Sequence, residues 1–220
     1  MSYYYLFIMI FSIIVIFGCA YFKSIKEAFT SNNSNSNTII LMGDSILNNS
    51  KYVPTNKSVF ANLKSKTSNV FNYAKDGATI VDLYSQLEQI PLEYNTDSTN
   101  IFISAGGNDI LNKQIKLDDA SIKRLFDKYM AFLAALRVKF GSAKINILNL
   151  YLPTNPRYKS YQQSVEQWNK LIQSNSTKIG EMYNVVDIYS LLNTPEDFVY
   201  DIEPSETASS KLANLIYLTR

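Results

Sequence analysis

Five short apolar runs, near residues 38–42, 69–74, 100–105, 143–150 and 184–188, alternate along this chain with longer segments of helical period. Strands separated by helix-length crossovers pair in parallel, and a parallel sheet needs helices on both faces. The pattern therefore predicts a three-layer α/β/α domain around a five-stranded parallel sheet. Three connecting segments carry the apolar stripe of packing helices: Ile80, Val81, Tyr84, Leu87 and Ile90 in 78–90; Ile122, Leu125, Phe126, Tyr129, Phe132, Leu133 and Leu136 in 117–140; and Trp168, Leu171, Ile172 and Ile179 in 161–183. Trp168 is read as core.

The N-terminus is built differently. Tyr3 to Phe22 is almost uninterrupted apolar sequence, about the length that spans a bilayer core. It reads as a membrane anchor over 1–22. A cleaved secretory signal, including a lipoprotein type cut before Cys19, is the alternative, although Met1-Ser2-Tyr3 lacks a basic leader and Phe17 is bulky for a lipobox. Lys23 and Lys26 follow the span and no Lys or Arg precedes it, which by the positive-inside tendency places the following domain on the cytoplasmic side of a single-pass membrane protein. Residues 23–37, rich in Asn and Ser, form a polar linker, and the folded domain occupies 38–220.

Composition removes several function classes. Among 220 residues, 21 Lys and Arg face 19 Asp and Glu, so no basic surface for nucleic acid is expected. The one cysteine excludes an internal disulfide and a cysteine nucleophile in the soluble part, and with no histidine a zinc site of the usual kind is not expected. No metal or organic cofactor is called for.

In doubly wound sheets ligands bind beyond the carboxyl ends of the strands. Four segments stand there: Gly43-Asp44-Ser45, Lys75-Asp76-Gly77-Ala78, Ala105-Gly106-Gly107-Asn108-Asp109, and Tyr200-Asp201-Ile202-Glu203-Pro204 before the last helix. Four of the chain's seven glycines fall in the first three. Together these loops supply the parts of an acyl-transfer site. Ser45 would attack, and its N–H at the start of a helix, with the Gly77 N–H and the Asn108 amide, would form an oxyanion hole. Asp44 would brace its loop through backbone N–H groups, and Asp109 would support the third loop. Arg157, in the loop after the fourth strand, is read as a solvated surface residue.

These blocks resemble the GDSL or SGNH hydrolase superfamily: Gly43-Asp44-Ser45-Ile46-Leu47 the first, Gly77 the second, and Gly106-Gly107-Asn108-Asp109 the third. The resemblance runs from Thr38 to the C-terminus. It implies a flavodoxin-like strand order, Ser45 as nucleophile, and hydrolysis of a carboxylic ester such as a lipid or an acetylated glycan. The last block departs from the family's Asp-x-x-His, since Tyr200 and Glu203 hold the acid and histidine positions and the nearest acid, Asp201, is displaced by one.

Glu203 is the replacement base, steered by Asp201. Its reference pKa lies about two units below that of histidine, each unit being worth about 1.4 kcal/mol. A helix start just beyond it would lower that pKa further, whereas burial or repulsion from Asp201 would raise it. Two functions follow: a membrane-tethered serine esterase or acyl hydrolase, or a pseudoenzyme of the same fold that binds acyl or anionic groups at a membrane.

Overall fold

The computed structural model describes residues 37–112, 118–176 and 183–220. The expected membrane span, Cys19, Lys23, Lys26 and the linker up to Ser36 lie outside them. Among the described residues no helix is long and apolar enough to cross a membrane.

Strands β1 (Thr38–Met42), β2 (Val70–Asn72), β3 (Thr99–Ile103), β4 (Lys144–Leu148) and β5 (Tyr183–Val186) form one parallel sheet in the order β2-β1-β3-β4-β5. Alternation along each strand feeds two cores. Ile40, Met42, Ile101 and Ile103 face one side, where they pack against α2 (Asp82–Gln89), α4 (Asp119–Lys139) and α5 (Gln162–Ser176). Ile39, Leu41 and Phe102 face the other, covered by α1 (Val59–Lys64) and α6 (Glu206–Thr219). Three layers result, as the alternation demands.

All seven apolar residues expected on the long helix are buried, from Ile122 to Leu136, and Trp168 is fully buried. The stripe expected for 78–90 holds at Ile80, Leu87 and Ile90, which are buried, and fails at two positions. Val81 and Tyr84 are 70% and 41% exposed, while Leu83, Gln86 and Leu87 are buried. The cause is the helix start: α2 opens at Asp82, so Ile80 is buried from the preceding turn and sets no helical phase.

Three elements lie beyond the sequence reading: α1; the five-residue α3 (Gly107–Leu111); and an antiparallel hairpin of β6 (Phe198–Val199) and β7 (Glu203–Pro204). All are short, and α1 buries only Val59 and Leu63, too few positions to show a period. The chain passes from β1 outward to β2 and then back across β1 to β3. That reversal makes the β1/β3 boundary the topological switch point, with the loops after β1 and β3 side by side.

Candidate active site

Gly43 leaves β1 at φ 123°, and a Cβ there would stand 2.0 Å from the carbonyl oxygen of Ser104, which follows the neighbouring strand β3. Only glycine fits. Its peptide groups are held by a buried amide: Gly43 N–H donates to Gln86 Oε1 at 2.7 Å, and Gln86 Nε2 donates to the Gly43 carbonyl at 2.8 Å. The following Asp44 is buried. One carboxylate oxygen accepts from the Ile46 N–H at 3.1 Å and from the Ser104 hydroxyl, and its carbonyl accepts from the N–H groups of Leu47 and Asn48. Asp44 thus braces the loop in the way its position suggests. Burial pushes its carboxyl up to about 6, against the pull of those hydrogen bonds.

Ser45 opens one turn rather than a helix. The chain is drawn away at Asn49, whose buried amide accepts from Val59 N–H at 3.0 Å and donates to the Pro204 carbonyl at 2.9 Å. The Ser45 N–H nonetheless gives no hydrogen bond within the described residues, and neither does the exposed Gly77 N–H. Both donors remain free for a ligand.

The third loop is pinned from below and from the side. At Gly106 φ is 98°, and a Cβ would meet the Trp168 indole at 2.4 Å. Asn108 Nδ2 donates to the Ala78 carbonyl at 2.9 Å, and Ile80 N–H donates to Asp109 Oδ2 at 3.1 Å. These paired bonds lock the second loop to the third. One Asn108 amide hydrogen is therefore committed to Ala78, leaving the other for a substrate. Burial also raises the Asp109 carboxyl.

Glu203 arrives on β7. The turn before it places Tyr200 (φ 47°) and Asp201 (φ 71°) in the left-handed region, and Ile202 N–H closes on the Val199 carbonyl at 3.3 Å. Two left-handed central residues are what a tight hairpin with native twist requires. The peptides on both sides of Glu203 are held: Tyr151 hydroxyl donates to the Ile202 carbonyl at 2.6 Å, and Asn49 takes the Pro204 carbonyl. Ser45 and Glu203 then face the same cavity, close enough for the serine hydroxyl to act on the Glu203 carboxyl, with no hydrogen bond formed between them among the described residues. Glu203 Oε2 is buried with no partner among the described residues.

The structure corrects the role expected of Asp201. One of its oxygens accepts from Asn155 Nδ2 at 2.8 Å and the other pairs with Arg157 at 2.9 Å, on the surface. Its position in the turn directs it to the loop after β4, so it does not steer Glu203. Burial instead pushes the Glu203 carboxyl up, the Ser45 hydroxyl opposes that, and the charges of Asp76 and Asp44 raise it again. The helix start itself lies farther on, since α6 is capped by Ser205, two residues beyond Glu203.

Asp44, Ser45, Asn108 and Glu203 border one cavity of about 280 Å³, whose remaining wall is mostly aliphatic and aromatic. Gly77 is not part of that wall. Among the described residues no group of three or more acidic, cysteine or histidine side chains is placed to hold a metal ion.

Compared with known families, residues 39–216 match the GDSL-like lipase/acylhydrolase family. The chain belongs to that family. Solved structures carry the same fold at low identity. A lipolytic G-D-S-L protein of Veillonella parvula is 19% identical, with TM-score 0.63 over 82% of this chain and 96% of its own. A GDSL-like lipase of Bacteroides thetaiotaomicron is 13% identical, with TM-score 0.63 over 88% and 95%. An acetyl xylan esterase is 16% identical, with TM-score 0.61 over 83% and 98%. No curated protein matches.

Against the family's last block, this chain brings Glu203 to the cavity beside Ser45 where histidine is usual. Sequence reasoning missed the residues that hold this GDSL site together: Gln86, Asn49, Tyr151 and Asp76. Asp76 accepts from Lys51 at 3.0 Å and from the Tyr52 hydroxyl at 2.8 Å, and its charge acts on Glu203. Gln86 alone left a signal, a polar residue three after Leu83 and four before Ile90 on the buried face of α2.

Proposed function

We propose that this member of the GDSL family is a serine acylhydrolase working through a Ser45–Glu203 dyad. The observation that carries the reading is Ser45 facing the half-buried Glu203 carboxylate, whose pKa is raised, beside a free backbone donor and a largely apolar cavity. Ser45 Oγ attacks the ester carbonyl carbon while its proton passes to Glu203. The carbonyl oxygen, now anionic, is met by the Ser45 N–H and the second Asn108 amide hydrogen. Collapse breaks the bond to the alcohol oxygen, which takes the proton from Glu203. Water then attacks the acyl-serine with Glu203 again as base, releasing the acid and restoring Ser45.

The test is hydrolysis of 4-nitrophenyl esters by the full chain from acid to alkaline pH, beside Ser45→Ala and Glu203→Gln. Turnover lost in Ser45→Ala, and reduced about 10²–10⁴-fold in Glu203→Gln, is the expected result. Turnover that survives Glu203→Gln would sink the base assignment. The acid limb of the profile belongs to Glu203 and lies above the range of an ordinary glutamate, because its carboxyl is raised.

Two observations favour a second reading: the chain has no histidine, and Asp201 is turned to Arg157 rather than to Glu203. A folded protein with no serine-dependent turnover on any acyl ester would be a binding protein. The apolar Tyr3–Phe22 segment supports membrane tethering of either, with the ester, a lipid or an acetylated glycan, supplied at that surface.

A further inference from the structure

Part of the rim of the cavity beside Ser45 is made by two segments that lie far apart in sequence. Tyr158 and Tyr161 come from the chain after β4, and Ile202 and Glu203 from the hairpin; all four line the cavity and all four are only part-buried. Neither segment belongs to the five-stranded sheet. The first is a 3-10 helix, Pro156–Tyr161, and the second a pair of two-residue strands. Asp201 joins them at the surface.

Asp201 engages both of its carboxylate oxygens in this junction. Oδ1 accepts from Asn155 Nδ2 at 2.8 Å, and Oδ2 pairs with Arg157 Nη2 at 2.9 Å. Both partners are already built into the 3-10 helix. Asn155 caps it, its side-chain oxygen accepting from the Arg157 N–H at 3.1 Å. Arg157 lies over the Tyr158 ring, its guanidinium carbon 4.9 Å from the centroid, and donates to the Tyr158 hydroxyl at 2.9 Å. Contact therefore runs unbroken from Asp201 through Arg157 to an aromatic side chain on the cavity wall.

Two ties of different character thus connect the hairpin to the chain after β4. The inner one, from the Tyr151 hydroxyl to the Ile202 carbonyl, is part-buried and stands next to Glu203 in the chain. The outer one is open to water, since the Arg157 and Asp201 side chains are 59% and 41% exposed, and an ion pair of that kind is weak and screened by salt. Such a tie does not hold the fold together. It sets the fraction of time for which Tyr158 stands in place, and a wall ordered before a ligand arrives leaves less to be ordered on binding.

Resting on the reading of this cavity as the substrate site, we propose that Asp201, Asn155 and Arg157 form a reversible clasp that seats Tyr158 on the cavity wall, which makes Asp201 a positioning residue for the substrate. With the clasp shut the wall is formed; with it open the rim is free for exchange. Asp201 therefore acts on KM, although its place in the sequence beside Glu203 suggests an effect on kcat.

The experiment compares the full chain with Asp201→Asn and Arg157→Ala. Asparagine tolerates the left-handed φ of 71° at position 201, so the turn survives while the charge is removed. With 4-nitrophenyl butyrate each variant should raise KM by about two- to fivefold, the worth of an exposed ion pair, with kcat almost unchanged. The double variant should be no worse than the worse single one, because the same contact is lost. In the wild type, raising NaCl from about 20 mM to about 500 mM should reproduce the rise in KM, and the variants should respond little. Two measurements read the clasp without turnover. Amide hydrogen exchange over 156–161 should quicken by about two- to fivefold in both variants while β1 to β4 keep their protection. The Kd of unhydrolysed 4-nitrophenyl butyrate for Ser45→Ala should weaken by the same factor when Asp201→Asn is added. Faster exchange with weaker binding, even if no ester is hydrolysed by any form, upholds the clasp and removes the nucleophile reading. Unchanged exchange or unchanged binding overturns the clasp and leaves the serine chemistry standing; a fall in kcat at constant KM overturns it too, by returning Asp201 to the base.

Discussion

The two halves of the proposed dyad stand on different foundations. Ser45 sits at the end of a central strand, and every restraint on it reaches into the core: Gly43 fits against Ser104, Gln86 holds both peptide groups of Gly43, and Asp44 is sealed beneath. Glu203 sits on a hairpin of two-residue strands whose tip is exposed and whose turn uses two non-glycine residues at positive φ. Two long-range hydrogen bonds, from Tyr151 and Asn49, hold its flanking peptides. Ser45 is placed by the fold, and Glu203 by a local device fastened to it.

That contrast can be broken most forcefully at Gly43. Gly43→Ala adds a Cβ against the Ser104 carbonyl at a φ that side chains rarely adopt, and should lower stability by about 3–6 kcal/mol, read as the urea midpoint. A fold unaffected by that change would mean that the nucleophile loop is not anchored through the core.

Next in size is the buried Asp44. Its folded pKa of about 6 exceeds the ordinary 3.8, so between these values the unfolded chain loses its proton first and stability falls as pH rises. The loss is about 3 kcal/mol across that window, and Asp44→Asn should flatten it in denaturation measured from pH 4 to 7. Gln86→Leu leaves the buried Gly43 N–H without a partner, an expected loss of about 1–3 kcal/mol, with kcat falling because Ser45 is displaced.

On the hairpin side the effects shrink. Tyr151→Phe removes one hydrogen bond and should cost about 1 kcal/mol of stability, with a fall in kcat larger than that in 1/KM if the tether aims Glu203. Arg157→Ala should leave the thermal midpoint almost unmoved, since its partner Asp201 is a surface carboxylate. A large effect there would show that the turn, and not the two tethers, positions the base.

Much of this was legible in the sequence because burial has a period. The five strands and the long helix declare themselves through Ile39 to Met42, Ile101 to Ile103 and the stripe from Ile122 to Leu136. What stayed hidden is polar and non-local. Asn49 reaches 155 residues to Pro204, and Gln86 reaches 43 to Gly43; side-chain amides of this kind look like surface residues until the fold brings their partners. Asp201 and Glu203 stand two apart, yet the left-handed turn sends one carboxylate to Arg157 and brings the other to Ser45. Spacing along the chain cannot distinguish them, because the outcome depends on φ at Tyr200 and Asp201.

The contact between Gly106 and Trp168 has an optical consequence. Trp168 is the chain's one tryptophan, wholly enclosed, with its indole N–H unpartnered among the described residues and its ring against Phe126 and Tyr129. All of the protein's indole emission therefore comes from the floor under the Asn108 loop. It should be blue-shifted in the folded chain, and its intensity should respond when an occupant presses on that loop, giving a signal of site occupancy that needs no added dye.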